Sequence, residues 1–312
     1  MILLTGAAGY IGSHIFHEFK TKKIKILGID NFCTKNINNK YTNKILNVDI
    51  NDDFKIEKLI KKYEINTVIH AAAYSHPLES LKYPKKYKVN NIIKTKNFIK
   101  TCIKNKIQNF IFFSSSNVYT EKKYGPYKES NKKKPKNYYG KTKLFIEKIL
   151  TKNRKQFKSL IILRLFNVVG YYPKFKYHEN KYKFKRIFNI FQNEINNNKE
   201  FKLYYYLKKN KVVFPERDFI HIKDLNLLLL KIFHKIKKIS KKNFYNVGSG
   251  KATNIKQLIN IYENKNKIKI KYSLKKINKI ELKSVFADIK KIKLDFSWLP
   301  KSNLKSIINS YI

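Results

Sequence analysis

The sequence predicts a doubly wound α/β fold: a parallel sheet with helices on both faces, and a smaller C-terminal α/β part beside it. Three observations point there. Short apolar runs alternate with longer helical patterns, glycines spaced GxxGxxG follow the first run, and an aspartate ends the second. Strands buried on both faces read as unbroken apolar runs, and strand-helix alternation folds into a parallel sheet through right-handed crossovers.

In chain order, "MILLT" is the first strand and residues 10–20 the first helix. "IKILGID" is the second strand, followed by a polar loop, and "NVDIND" comes after a third. "TVIHAAA" precedes one long helix expected over residues 78–104. "NFIFFSSS" is the next strand, residues 138–152 a helix, and "SLIILRLF" a further strand. Past residue 170 the rhythm weakens, and "GYYPKFKYHENKYKFK" has no clear period. A helix near 224–237, a strand at "NFYNV" and helices near 255–263 and 302–310 follow. We expect residues 1–170 as one domain and residues 171–312 as mainly a second part, with some segments returning to the sheet. No internal repeat or separating linker appears.

With 43% hydrophobic residues in 312, a sizeable core is expected. The formal charge of +48 would ordinarily indicate nucleic acid or an anionic membrane. Composition favours a duller cause: Lys, Asn, Ile, Phe and Tyr are abundant, while Arg occurs four times and Trp and Met once each, a bias that follows A+T-rich codons. The lysines are spread throughout and no nucleic-acid motif is present, so only nonspecific, salt-dependent attraction to polyanions is expected. Cys33 and Cys102 form neither a disulfide framework nor a metal-ligand spacing, and no metal is expected. With "MILLTG" entering a strand at once, no signal peptide is expected, and "LNLLLLKIF" is broken by Lys231, far short of the ~20 apolar residues of a membrane span. The expected location is cytoplasmic.

Gly6, Gly9 and Gly12 in "TGAAGYIGSH" use three of only nine glycines exactly where the first strand hands over to a helix. Glycine there admits a pyrophosphate close to the backbone, at the helix N-terminus. Asp30 lies 18 residues past Gly12, near the offset at which an acid receives the adenine ribose hydroxyls; a carboxylate there repels a 2′-phosphate and favours NAD over NADP. Asp49 and Ile50 are placed beside the adenine, with a turn or cap role for Asp49 as the alternative.

Tyr139 and Lys143 in "YYGKTKLFIE" stand one helical turn apart, so their side chains share a face. Spacing alone means little, since Tyr-x-x-x-Lys occurs eight times in this chain. Position decides. Over nearly the whole length, "TGAAGYIGSH", "IDNFCTKN", "VIHAAA", "NFIFFSSSNVY", "GPYKES", "YYGKTKLFIE", "LRLFNVVG", "RDFIHIKDL", "YNVGSGKATNI" and "FADIKKIKLDFSW" appear in an order that resembles the extended short-chain dehydrogenase/reductase family. Within that family the chain resembles the UDP-glucose 4-epimerases.

The resemblance implies a Rossmann domain over residues 1–170, bound NAD, a UDP-hexose substrate and a homodimer. It implies catalysis by Ser115, Tyr139 and Lys143, with Ser115 only loosely preferred over Ser116. Tyr139 would take the proton of the sugar 4-OH while hydride passes from C4 to NAD; the 4-keto sugar then turns and regains hydride on its other face. Lys143 would lower the Tyr139 pKa and hold the nicotinamide ribose. Cofactor contacts implied are Gly6, Gly9, Tyr10, Ile11, Gly12, Asp30, Asn31, Asp49, Ile50, Ala72, Asn91 and Phe166. Substrate contacts implied are Ser115, Asn167, Arg217 and Glu281. Arg217 suits a diphosphate because its planar fork grips oxygens bidentately, with a salt bridge to Asp218 or Glu216 as the structural alternative.

Departures from the family pattern are Ser75 for a lysine, Lys94 for a glycine, and Thr120 for a glycine. Asn278 and Glu281 replace an Arg and an Asp that usually meet uridine diphosphate, with Lys276 or Lys279 as substitutes for the lost charge. Val285 falls where side-chain size governs acceptance of an N-acetylated sugar, which leaves a UDP-N-acetylglucosamine 4-epimerase open. A nucleotide-sugar dehydratase ranks lower, because its acid pair is Ser116-Asn117 here. A non-catalytic polyanion-binding Rossmann protein is the remote alternative.

Overall fold

A computed structural model describes residues 1–34, 42–120, 125–171, 200–236, 243–276 and 284–311. The first half runs β1 (Ile2–Thr5), α1 (Tyr10–Thr21), β2 (Ile26–Asp30), β3 (Ile45–Asn47), α2 (Asp53–Lys62), β4 (Thr67–His70), α3 (Pro77–Lys82), α4 (Pro84–Tyr87), α5 (Thr95–Lys104), β5 (Asn109–Ser115), α6 (Tyr138–Lys152) and β6 (Ser159–Leu165). It continues with β7 (Asn167–Val169), β8 (Phe201–Lys208), β9 (Lys211–Val213), β10 (Glu216–Arg217), β11 (Phe219–His221), α7 (Ile222–Lys235) and β12 (Asn243–Val247). The chain ends through β13 (Thr253–Asn254), α8 (Ile255–Asn266), β14 (Tyr272–Lys276), β15 (Ser284–Val285), α9 (Lys290–Phe296) and α10 (Leu304–Asn309).

The central sheet is parallel, in the order β12-β6-β5-β4-β1-β2-β3. Alternation along its strands feeds two cores. Leu4, Ile111 and Phe113 face α1 and α7, meeting Ile15, Phe16, Leu225 and Leu229. Leu3, Phe110 and Phe112 face the other way, toward Ile56, Phe98, Ile146 and Leu150. Every residue of β5 and β6 is buried, which is why residues 110–113 and 160–163 read as unbroken apolar runs. The C-terminal half returns β12 to the outer edge beside β6, while β8, β9 and β14 form a separate small sheet.

One expected element is broken. The helix over residues 78–104 is α3, then a stop at Tyr83, then α4, a π-helical turn over Lys88–Lys94, and α5. Pro84 explains the stop, because its ring disfavours helical backbone in the residue before it, and Tyr83 sits at φ −125°, ψ 60°.

Three histidines are locked in the interior. His70 stacks on Phe98 and Phe112 between the hydroxyls of Thr5 and Thr95; burial pulls its pKa down to about 3, and those of His14 and His221 to about 4. The fold therefore favours the neutral rings, and the unfolded chain takes up protons first once pH drops below 6.5. Stability present above that pH is lost progressively toward pH 4, by up to about 1.4 kcal/mol per pH unit for each ring. Burial raises the Asp30 and Asp218 carboxyls, which opposes the loss at its acid end. We expect a lower urea midpoint at pH 5 than at pH 7 and a shallower dependence in His70→Gln; equal midpoints in the parent protein would contradict this.

Candidate active site

The loops at the C-terminal ends of β1, β4, β5 and β6 surround a crevice of about 520 Å³. Its floor is the glycine turn. Gly6 has φ +69°, and a Cβ on Gly12 would stand 2.0 Å from the Gly6 carbonyl oxygen, so α1 can start this close to β1 only without side chains. Gly9 caps α1 with no side-chain acceptor, and Gly9, Tyr10, Ile11 and Gly12 line the crevice. An uncapped helix N-terminus facing a crevice fits a diphosphate. The residues present thus suit a dinucleotide.

At the tip of β2, Asp30 accepts from the N–H groups of Ala8 at 3.0 Å and Phe32 at 2.8 Å, which fixes it beside the turn. Burial nevertheless pushes its carboxyl up. Asp30, Asn31, Asp49 and Ile50 do not line the crevice proper; they form the exits of β2 and β3 beyond Thr34, and Ile50 packs into the core. Ala72 and Asn91 also lie off the crevice lining. Ala71 and Ala73 line the crevice, whereas Ala72 points away and its N–H reaches the Thr5 hydroxyl at 3.3 Å, because alternate residues of extended chain face opposite sides. The Asn91 amide is used to pin the loop after β4, accepting from Tyr74 N and donating to Tyr74 O, both at 2.9 Å, and it does not line the crevice.

α6 brings Tyr139 and Lys143 to the crevice. Asn137 caps it by accepting from Gly140 N, and a Cβ at Gly140 would meet the Asn117 carbonyl oxygen at 2.2 Å, so glycine lets the helix press against the end of β5. Tyr139 and Lys143 both line the crevice and both are buried, with the Lys143 Nζ 5.9 Å from the Tyr139 ring centre. Lys143 Nζ donates to the Phe113 carbonyl at 2.8 Å. Burial pulls its ammonium down to about 7, opposed by the negative charge of Glu147 one turn on.

The three serines diverge. Ser114 also lines the crevice, but its Oγ donates to Glu147 at 2.6 Å. Ser115 Oγ accepts from Asn117 N and Nδ2, both at 3.2 Å, and Ser115 and Ser116 both line the crevice beside Tyr139. Behind them, Glu147 and Arg164 form a bidentate ion pair at 2.9 and 2.7 Å, with both side chains at most 3% exposed. Arg164 also donates to Tyr119 OH and the Glu129 carbonyl.

Phe166, Asn167 and Arg217 also line the crevice. Asn167 Nδ2 donates to the Asp218 carbonyl at 2.9 Å, and β7 pairs with β11. The Asp218 carboxylate accepts from Ser249, Gly250 and Ala287, the Glu216 carboxylate accepts from the Ser284 hydroxyl, and Arg217 Nη1 donates to the Glu216 carbonyl at 2.8 Å. Val285 is packed among Val118, Tyr119, Phe166 and Ala287 rather than along the crevice. Glu281, Asn278 and Lys279 lie outside the described residues, and Lys276 does not line the crevice. Sequence reasoning missed Glu79, Asn117, Lys202 and Tyr204, which do line it. The last two were accessible from alternation in "FKLYYYL", where Phe201 and Leu203 are buried and Lys202 and Tyr204 exposed.

A larger, more open groove of about 780 Å³ bordered by Lys128, Lys148 and Lys290 contains neither the glycine turn nor Tyr139. Among the described residues no group of His, Cys, Asp or Glu is arranged to hold a metal, and no helix is long and apolar enough to cross a membrane.

Comparison with known proteins agrees with this geometry. The UDP-glucose 4-epimerase of Haemophilus influenzae is 28% identical over 336 residues, 98% of this chain and 95% of its own. That of Caenorhabditis elegans is 29% identical over 282 residues, covering 83% and 81%. Among solved structures, the Stenotrophomonas maltophila UDP-glucose-4-epimerase with bound NAD and formylated UDP-arabinopyranose superimposes with a TM-score of 0.89 at 22% identity, over 99% of this chain and 96% of that one. The UDP-Glc/GlcNAc 4-epimerase of Campylobacter jejuni gives 0.80 at 27% identity, over 99% and 97%. The model of the NAD dependent epimerase/dehydratase family matches residues 2–248, and the chain belongs to that family.

Proposed function

We propose that this protein is an NAD-dependent 4-epimerase of UDP-hexoses, interconverting UDP-glucose and UDP-galactose. The observation that carries this is the convergence of Tyr139, Lys143 and Ser115 in one crevice with an uncapped, glycine-lined helix start. Bound NAD supplies reversible hydride acceptance at the sugar C4. The chain's own part is to move the proton and hold the ring. Tyr139 takes the 4-OH proton and returns it, Ser115 hydrogen-bonds the reacting oxygen, and a charged Lys143 favours the phenolate form of Tyr139. Arg217 and Asn167 hold the diphosphate end. The 4-keto sugar turns between the two half-reactions, so its ring needs space while its diphosphate stays fixed.

Substrate redox change is zero, so the test is direct: UDP-galactose supplied to the purified protein yields UDP-glucose with no added reductant. Failure to convert any UDP-hexose or UDP-N-acetylhexosamine would refute the proposal. The likeness to the Campylobacter enzyme favours a second reading, 4-epimerisation of UDP-N-acetylglucosamine, which the same assay scores with that sugar.

We also propose a cytoplasmic homodimer. Leu78 and Leu81 on α3, Val89 and Ile93 in the π-helical turn, and Phe145 on α6 are large apolar side chains more than 40% exposed on adjoining helices. An apolar face of that kind fits a second copy. Light scattering should give a dimer for the parent chain and a monomer for Leu81→Glu/Phe145→Glu; a monomeric parent would refute this.

A further inference from the structure

One carboxylate, Asp49, ties the exit of β2 to that of β3 and to the π-helical turn. β1, β2 and β3 lie side by side, and the chain leaves their tips through the glycine turn, Asp30-Asn31 and Asp49. The Ala8 N–H joins the turn to Asp30. Asn31 Nδ2 donates to Asp49 Oδ2 at 2.7 Å, joining the exit of β2 to that of β3. Lys94 Nζ reaches the same oxygen at 2.6 Å from the π-helical turn, and Asn51 N occupies Oδ1 at 2.9 Å.

Both partners of the ion pair are partly shielded, with Lys94 27% and Asp49 29% exposed. Burial raises the Asp49 carboxyl, but the hydrogen bonds from Lys94 and Asn31 outweigh it and hold the group below the ordinary carboxylate range. Asp49 is therefore a standing negative charge at neutral pH. It stands past the tip of β3, the strand next to the one that ends in Asp30, outside the crevice lining.

We propose that Lys94 is a positioning residue for the adenosine end of the dinucleotide: it neutralises Asp49 and locks the shelf made by the exits of β2 and β3. The proposal rests on the NAD-dependent function above. In a doubly wound sheet a dinucleotide lies across the carboxyl ends of the strands with its diphosphate at the first helix. Here that helix is α1, the ribose position is Asp30 at the tip of β2, and the next support outward is Asn31-Asp49. Without Lys94, the Asp49 charge is left unneutralised toward the approaching diphosphate, and the β3 exit loses its tether to the helix after β4. Because the pair is reached by water, its effect is screened by salt.

The test compares the full-length parent, Lys94→Gln and Lys94→Gln/Asp49→Asn by calorimetric NAD titration at low and high NaCl, with apo protein. Glutamine keeps the helical preference, and thermal midpoints report folding. We expect NAD binding about five- to tenfold weaker in Lys94→Gln at low salt, a gap that closes at high salt, and partial recovery in the double variant, where the lone charge is gone. Binding within twofold of the parent at low salt would overturn the role of Lys94 and leave the proposed function standing. A parent that binds no NAD would overturn both.

Discussion

Tyr139→Phe is expected to lower UDP-galactose turnover about a thousandfold, the scale on which a positioned acid-base group acts. The change removes one oxygen from a ring whose place is set by other contacts. The Tyr139 N–H donates to Ser80 Oγ at 2.9 Å, and its ring meets Tyr87 edge-on with centres 6.5 Å apart. Those contacts survive in phenylalanine. NAD affinity should therefore stay near the parent value while kcat collapses. A variant retaining a tenth or more of parent turnover would show that another group handles the proton.

Arg164→Met is expected to cost about 3–5 kcal/mol of folding stability, because it strands a buried Glu147 carboxylate. Arg164 is 1% exposed and satisfies Glu147, Tyr119 and the Glu129 carbonyl at once. Removing the acid as well should recover much of the loss, since a well-packed apolar pair avoids the desolvation both charges suffer. Urea unfolding of Arg164→Met and Arg164→Met/Glu147→Leu measures both. A single variant as stable as the parent would mean that water reaches Glu147. Loss of the pair also removes the negative charge one turn from Lys143, so the lysine at the site and the stability of α6 share a dependence on this contact.

Much of the scaffold is local information. The apolar runs of β5 and β6, the boundaries of α6 and the glycine turn were legible because a strand buried on both faces, a 3.6-residue period and a turn admitting no Cβ each leave a mark within a dozen residues. Tyr139 and Lys143 shared a face by periodicity, but seven other pairs had the same spacing. Their selection required the order of motifs along the chain, which stands in for position in the sheet.

What only the tertiary structure decided were directions and long-range partners. Ala71 and Ala73 line the crevice and Ala72 does not, because facing depends on where β4 ends. Asn91 serves the Tyr74 loop, and Arg164 reaches Glu147 on another element. Lys94, a departure from a glycine in the sequence pattern, places its ammonium on Asp49, 45 residues away. Sequence by itself thus determined which elements form and which chemistry they carry, since propensity and periodicity act over short distances. The pairing of charges across elements belongs to the folded chain alone, because a hydrogen bond exists only where packing brings donor and acceptor together.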